Sequence, residues 1–505
     1  MNVVWRLRSQ LGALVICGVV ACSSGGGTPS GGAGATGSAG ATGAAGTTAA
    51  AGTTGTAGTT AGTTGTAGAT GTAGAAGTTA AAGTTGGAGS TGTAGAGGAA
   101  GVGGTAGAGG AAGAPVVLGS LKFTRKTLHT FNYAEGIGIA DFNKDGKPDV
   151  VSGPFWWEGP AFDKKHQYFP PPPNNSYTGM SLGDWADYPT DVDGDGFPDS
   201  VTVMRPSMPS FWYKNPGKPG LDADVSTWEQ HGLGTLVLEQ SAFVDLTGEG
   251  KPQLVCAIDS QFGWFDVSTS SPWKFNRVAP SGATNAYAWW HGIGTGDLDG
   301  DGKQDFITDS AWYTRPAGDP RATGWLAHPQ KFKGDGVADE HGPSQMYGYD
   351  VDGDGDEDVV TALDSHGYGV AWYENQKGTF VRHVIVGGAG STATNAGMIA
   401  PFSQPHALVV ADVDGDGVKD LVTGKSFYAH PPGMGDPDAD GTPVFYVFKL
   451  VRGANHTAAA VVWQPKLVDS EVGLGRQFTT GDLNGDGKVD IAVASKHGVF
   501  LFFQQ

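Results

Sequence analysis

From residue 120 onward the apolar positions of this chain come in short runs, broken by turns and polar loops. The segment 345–385 is the clearest. Gln345–Tyr349 predicts a strand, a glycine-rich acidic turn follows, and Asp358–Ala362, 369–373 and 379–385 predict three more. After other turns the apolar pairs Val150-Val151, Phe306-Ile307 and Leu421-Val422 predict second strands. Third strands share an aromatic signature: Phe155-Trp156-Trp157, Phe211-Trp212-Tyr213, Trp312-Tyr313, Trp372-Tyr373 and Phe445-Tyr446. Such residues are expected to pack between neighbouring sheets. Fourth strands resemble one another, as in WKFNRVAP from Trp273 and TFVRHVIV from Thr379. LKFTRKTL, from Leu121, has the same pattern but precedes every turn, whereas the last unit stops after its third strand at 498–503. The segment 121–128 is therefore expected to cross over as the outer strand of that last unit, closing a ring and hiding its edges.

The acidic turn recurs as Asp-x-(Asp/Asn)-x-Asp-Gly-x-x-Asp. It reads DFNKDGKPD from Asp141, DVDGDGFPD from Asp191, DLDGDGKQD from Asp297, DVDGDGDED from Asp350, DVDGDGVKD from Asp412 and DLNGDGKVD from Asp482. A decayed copy, DLTGEGKPQ from Asp245, fills the one long gap. Successive copies start 50, 54, 52, 53, 62 and 70 residues apart. Seven copies at that period predict an all-β fold, a seven-bladed β-propeller of four-stranded blades.

Oxygen donors at positions 1, 3, 5 and 9, with a backbone carbonyl at 7, form the oxygen-only shell that calcium prefers. The expected ligands are Asp141, Asn143, Asp145 and Asp149; Asp191, Asp193, Asp195 and Asp199; Asp297, Asp299, Asp301 and Asp305. The later copies supply Asp350, Asp352, Asp354 and Asp358; Asp412, Asp414, Asp416 and Asp420; Asp482, Asn484, Asp486 and Asp490. Glycine at position 6 supplies the sharp turn. An EF-hand would carry Glu at position 12, where this chain has Ser152, Thr202, Thr308, Thr361, Thr423 and Val493, so that motif is excluded. About six Ca²⁺ ions are expected. The decayed turn, with Thr247, Glu249 and Gln253 at ligand positions, is expected to hold none.

The formal charge is −19, from 49 acidic and 30 basic residues. Six calcium ions would offset roughly twelve of those charges, so the acidity is largely metal ligand and says little about partners. No basic patch points to nucleic acid. Arg6 and Arg8 precede an apolar run, 11–21, too short to span a bilayer. It ends Val19-Val20-Ala21-Cys22, which resembles the bacterial lipobox. The resemblance implies a signal peptide at 1–21, lipid on Cys22 and, with Ser23 following, sorting to the outer membrane or cell surface. Residues 23–114 hold only Gly, Ala, Thr, Ser, one Val and one Pro. Such a stretch cannot bury a core, so 22–115 is expected to be a disordered tether and 116–505 the folded part. Cys256 is then the one remaining thiol, which excludes an internal disulfide in the mature chain. A monomer is expected, touching the membrane only through Cys22.

The turns and their preceding strands resemble FG-GAP/VCBS repeats, which implies calcium-binding propellers of the kind found in integrin α-subunit heads. HGPSQMYGYDVDGDGDEDVV from His341, SHGYGVAWYE from Ser365 and FSQPHALVVADVDGDGVKDLVTGKSFYAH from Phe402 narrow the resemblance. They are similar to bacterial FG-GAP-like proteins related to the propeller part of fungal aldos-2-ulose dehydratase. The loop after His430, PPGMGDPDADG, departs from that pattern, and no cupin-like segment accompanies it.

In a propeller blade the first-to-second strand turns lie on one face and the loops leading into the first strand lie on the other. With calcium on the first face, function is expected on the second, centred on the units with the longest intervals. Candidates for catalysis there are His341, His366, His406, Lys425, Tyr428 and His430. Candidates for ligand binding are Trp290, His291, Gln345, Asp364, Tyr368, Gln404 and Arg476. Two or three of the histidines could hold Zn²⁺, which imidazole suits. Aromatic rings beside amides, acids and imidazoles suit a polyhydroxylated ligand. The expectation is a surface-tethered module binding a glycan or a protein. The alternatives are a lyase or isomerase on sugar-derived substrates, and a structural surface protein.

Overall fold

The computed structural model describes residues 121–505, apart from 174–178, 180–182, 280–288, 323, 339–340, 389–398 and 432. The expected signal peptide, the Cys22 anchor and the tether lie outside the described residues. Within them the chain is an all-β propeller of antiparallel four-stranded blades, with one six-residue helix, Gly217–Asp222.

Four sheets each take four strands in chain order. They are Gly138–Ala140 to Lys165–Gln167, Asp184–Thr190 to Glu229–Thr235, Ala242–Val244 to Phe275–Arg277, and Leu408–Ala411 to Val462–Asp469. An eight-stranded sheet joins Ile293–Gly296 through Leu326–Pro329 to Gln345–Tyr349 through Phe380–Val386. The join is a short parallel pairing of Ile293–Gly296 with Gln345–Tyr349. In the last sheet, Thr479–Gly481, Asp490–Ser495 and Gly498–Gln504 are completed by Phe123–His129 from the other end of the chain. The expected crossover is present, one or two residues later than 121–128, with Phe123 opposite Gln504 and Thr127 opposite Phe500. Leu121 anchors its start, fully buried in the cluster with Phe155, Trp157, Val493 and Phe502.

The first strands of the sheets lie against one another and, with Tyr188, Phe243, Ile293, Gln345, Leu408 and Phe478, enclose a central cavity. Cores form between successive sheets; Trp156 and Phe142 pack with Tyr213 and Trp228, as the aromatic signature predicts. That signature has a histidine partner across the sheet. At four places in three sheets, two of them in the eight-stranded sheet, a third-strand tryptophan stacks on the histidine directly across from it in the next strand. These pairs are Trp156–His166, Trp212–His231, Trp312–His328 and Trp372–His383, at centroid distances of 4.1, 4.1, 4.0 and 4.5 Å. Directly opposed side chains are the unit of sheet stabilisation, so these four histidines belong to the scaffold.

Five of the six acidic turns fold by one scheme, in which the first aspartate accepts the backbone N–H groups of positions 5 and 6, as Asp141 does from Asp145 and Gly146 at 3.0 and 2.9 Å; Asp350 accepts that of Gly353 instead. The position-6 glycines have φ near +80 to +100°, as the sharp turn requires. The ninth residue begins the second strand and braces the turn through both carboxylate oxygens. Asp199 accepts the N–H of Val192 on one oxygen and of Asn215 on the other, at 2.9 and 2.7 Å. Asp149, Asp305, Asp358, Asp420 and Asp490 repeat both bonds, tying every turn to the end of its third strand.

Candidate functional site

Among the described residues, acids and imidazoles gather at the turns and at the opposite ends of the first strands. At the turns, one carboxylate oxygen from each of Asp191, Asp193 and Asp199 lies within 4.8 Å of the others, and the trios Asp297, Asp299, Asp305 and Asp350, Asp352, Asp358 do the same. These sets fit a hard cation, because each oxygen bonded to an N–H keeps a second lone pair. Lysine ammonium groups also reach the acids, Lys214 at Asp193 and Lys449 at Asp414 and Asp416. The decayed turn differs in kind. Arg321 forks onto both oxygens of Glu249 at 2.7 and 2.9 Å and onto Asp266 at 2.8 and 2.9 Å, while Arg315 donates to the Thr247 carbonyl at 2.6 Å. Guanidinium groups thus supply positive charge at that turn.

At the other end of the first strands, Glu239, His291, His366 and His406 converge, each offering a ligand atom within 4.8 Å of the rest. All four are buried. The ring centroids of His366 lie 4.8 Å from His291 and 4.5 Å from His406. Neither nitrogen of His291 or His406, and neither oxygen of Glu239, has a hydrogen-bond partner. His291 Nε2 and Arg476 Nε stand 3.2 and 3.1 Å from Glu239 Oε2, off the hydrogen-bonding direction. Burial would push the Glu239 carboxyl up, but Arg476, His291 and His366 outweigh it and hold the group well below the usual range. Burial lowers His366 to about 3 and keeps His406 far below its ordinary value, so both rings are neutral and can ligate.

The remaining candidates divide. His430 stacks on His366 at 4.0 Å and 6°, and His341 lies 4.9 Å from His366. Arg476 packs 4.7 Å over Trp185 and donates to the Ala429 carbonyl. Lys425 is buried and donates to Ser403 Oγ at 2.8 Å, and burial brings its amine down to about 8. Others among them spend their polar atoms on backbone. Gln345 bonds the Arg476 carbonyl and the Leu408 N–H; Gln404 bonds the Pro437 carbonyl and the Ala429 N–H. Asp364 accepts the N–H groups of His366 and Gly367, shaping the loop that carries His366. The Tyr428 carbonyl accepts Lys496 Nζ, and Tyr368 bridges to Ser403. Trp290 is a core residue, buried with Leu238 and Phe262.

Two members of the site were missed from sequence. Glu239 occupies the sixth position before the first aspartate of its turn, the offset shared by His291, His406 and Arg476. Glu135, Trp185 and Ser344 complete that ring of positions, all seven of them buried. Asp436 lies in the divergent loop after His430 and had no signal.

Residues 350–423 match the FG-GAP-like repeat family and residues 474–500 the FG-GAP repeat family. These stretches are FG-GAP repeats within a β-propeller. No curated protein sequence matches it. Among solved structures it is similar to an Agrocybe aegerita lectin described as recognising non-reducing terminal N-acetylglucosamine, at 16% identity over 76% of this chain and 85% of that one, with a TM-score of 0.38. A rhamnogalacturonan lyase gives 12% identity over 75% and 72%, with a TM-score of 0.35. Neither likeness carries an argument about function.

Proposed function

We propose that this chain is a lipid-tethered, calcium-stapled propeller whose central histidine–glutamate cluster holds a transition-metal ion, and that it acts as a lyase or isomerase on a polyhydroxylated, sugar-derived substrate. The seven-blade reading takes each half of the eight-stranded sheet as one blade. The observation that carries the metal reading is the set of six buried polar atoms on Glu239, His291 and His406 without hydrogen bonds. Leaving a buried polar group unsatisfied costs about 1–3 kcal/mol, so such a set calls for a partner. One glutamate and three imidazoles suit zinc or another borderline divalent ion.

A bound ion of this kind would supply a Lewis acid for a carbonyl or hydroxyl oxygen. Glu239, His291, His366 and His406 would hold it. Arg476 offsets the charge of Glu239 and, stacked on Trp185, keeps that carboxylate in place. Lys425, with its lowered amine, is the side chain fitted to exchange a proton near neutral pH. The surroundings favour enzyme over binding module because a glycan platform needs rings open to solvent, whereas this cluster is closed. The resemblance to aldos-2-ulose dehydratase points the same way.

Metal analysis of the purified protein, with turnover of keto-sugars followed by the absorbance of the enone that dehydration forms, tests this reading. One transition-metal equivalent, lost in His291→Ala and His406→Ala together with turnover, is expected. A protein that takes up no such metal would return the site to a plain binding module.

A further inference from the structure

Asp436 sits in the loop joining Asp420–Gly424 to Phe445–Val451, between residues that are exposed on both sides. Its own side chain is 2% exposed. Burying a carboxylate at the tip of an exposed loop is costly unless it is paired. Its partners are the two stacked imidazoles. Oδ1 lies 3.0 Å from His430 Nδ1, while Oδ2 accepts the backbone N–H of His430 at 3.0 Å and lies 3.4 Å from His366 Nδ1. Gln404 fixes the loop from beneath by donating to the Pro437 carbonyl at 3.1 Å. The carboxylate is thus built into the neighbourhood of the cluster from two independent directions.

A neutral imidazole has one N–H and one lone pair, so the partner of one nitrogen decides what the other can do. With Nδ1–H directed at Asp436, the lone pair of His366 is on Nε2, the nitrogen left for Glu239, His291 and His406. Metal-binding histidines commonly donate their second nitrogen to a carboxylate in this way, which fixes the tautomer and raises the ligand's basicity.

We propose that Asp436 is the positioning residue of the central metal site, fixing the tautomer and orientation of His366 through its Nδ1 proton and holding His430 stacked behind it. This rests on the reading of the Glu239–His291–His366–His406 cluster as a metal site. The test measures Zn²⁺ affinity of the calcium-loaded full chain by competition with a chromophoric chelator, and visible absorption of its Co²⁺ form. It compares Asp436→Asn, Asp436→Ala and His406→Ala with the parent. Asp436→Asn is expected to weaken Zn²⁺ about 10–100-fold. It should retain the intensity of the Co²⁺ bands while shifting their position. His406→Ala is expected to lose the site. If His406→Ala binds Zn²⁺ as the parent does, the metal reading itself fails. If His406→Ala loses Zn²⁺ but both Asp436 variants keep the parent affinity, the metal site stands and the role of Asp436 falls. A lowered melting temperature with unchanged affinity per folded molecule would make Asp436 a loop staple and overturn the proposal. Collapse of the Co²⁺ bands in Asp436→Asn would make it a ligand and overturn it equally.

Discussion

Leu121 precedes every repeat, so it should matter to stability only if the crossover strand closes the last blade. It is fully buried, packed with residues from the first and last sheets. Leu121→Ala removes a branched side chain from a filled core, which costs about 2–5 kcal/mol depending on how far the site collapses. An unfolding entropy of about 2.1 cal/mol/K per residue, over about 385 residues, makes 1 kcal/mol worth roughly 1 °C, so the melting temperature should fall by roughly 2–6 °C. Leu326→Ala is the internal control, because Leu326 is 62% exposed and its loss should change stability by no more than about 0.5 kcal/mol. Thermal melts of both variants in saturating calcium make the comparison. If Leu121→Ala melts with Leu326→Ala, the N-terminal strand contributes nothing and the closure of the ring is wrong.

Calcium removal should destabilise the fold, since each site filled at a hundred times its Kd contributes about 2.7 kcal/mol; an unchanged melting midpoint in excess chelator would refute the calcium assignment. Native mass spectrometry should count six calcium ions, and a seventh would show that Arg321 does not stand in for metal at the decayed turn. Arg321→Ala should leave the count at six and cost about 1 kcal/mol, because the pairs it breaks are partly exposed. Asp184→Asn should stabilise the protein at neutral pH. Burial first, and then the charge of Asp187, raise the Asp184 carboxyl well above its usual range, with Asp187 itself raised to about 6. A carboxyl that is harder to ionise folded than unfolded costs stability as pH climbs above its unfolded value of about 3.9, so the advantage of Asn should shrink toward zero by pH 4 in denaturant titrations. A pH-independent difference would contradict that origin.

The scaffold was legible because its repeats state the same rule many times. Gln345–Tyr349 and Asp358–Ala362 were read with their observed ends, and the outer-strand likeness of 121–128 located the crossover. The convergence of His291, His366 and His406 followed from strand order alone. Other features depend on what a side chain meets after folding. Gln345 and Gln404 looked like ligand groups, but the backbone of neighbouring loops claims their amides. Trp290 looked like a platform and is core. Glu239 was missed because its turn is the decayed one, although its offset from Asp245 matched that of His291 from Asp297. Asp436 lies in an irregular loop, where no periodicity says which acid turns inward.

The central claim is tested most directly by anomalous diffraction from crystals of the protein grown with Zn²⁺, recorded on either side of the zinc absorption edge. A peak is expected among Glu239, His291, His366 and His406, at about 2.0–2.2 Å from the coordinating nitrogens and oxygen. Well-ordered side chains with no anomalous peak between them would contradict it.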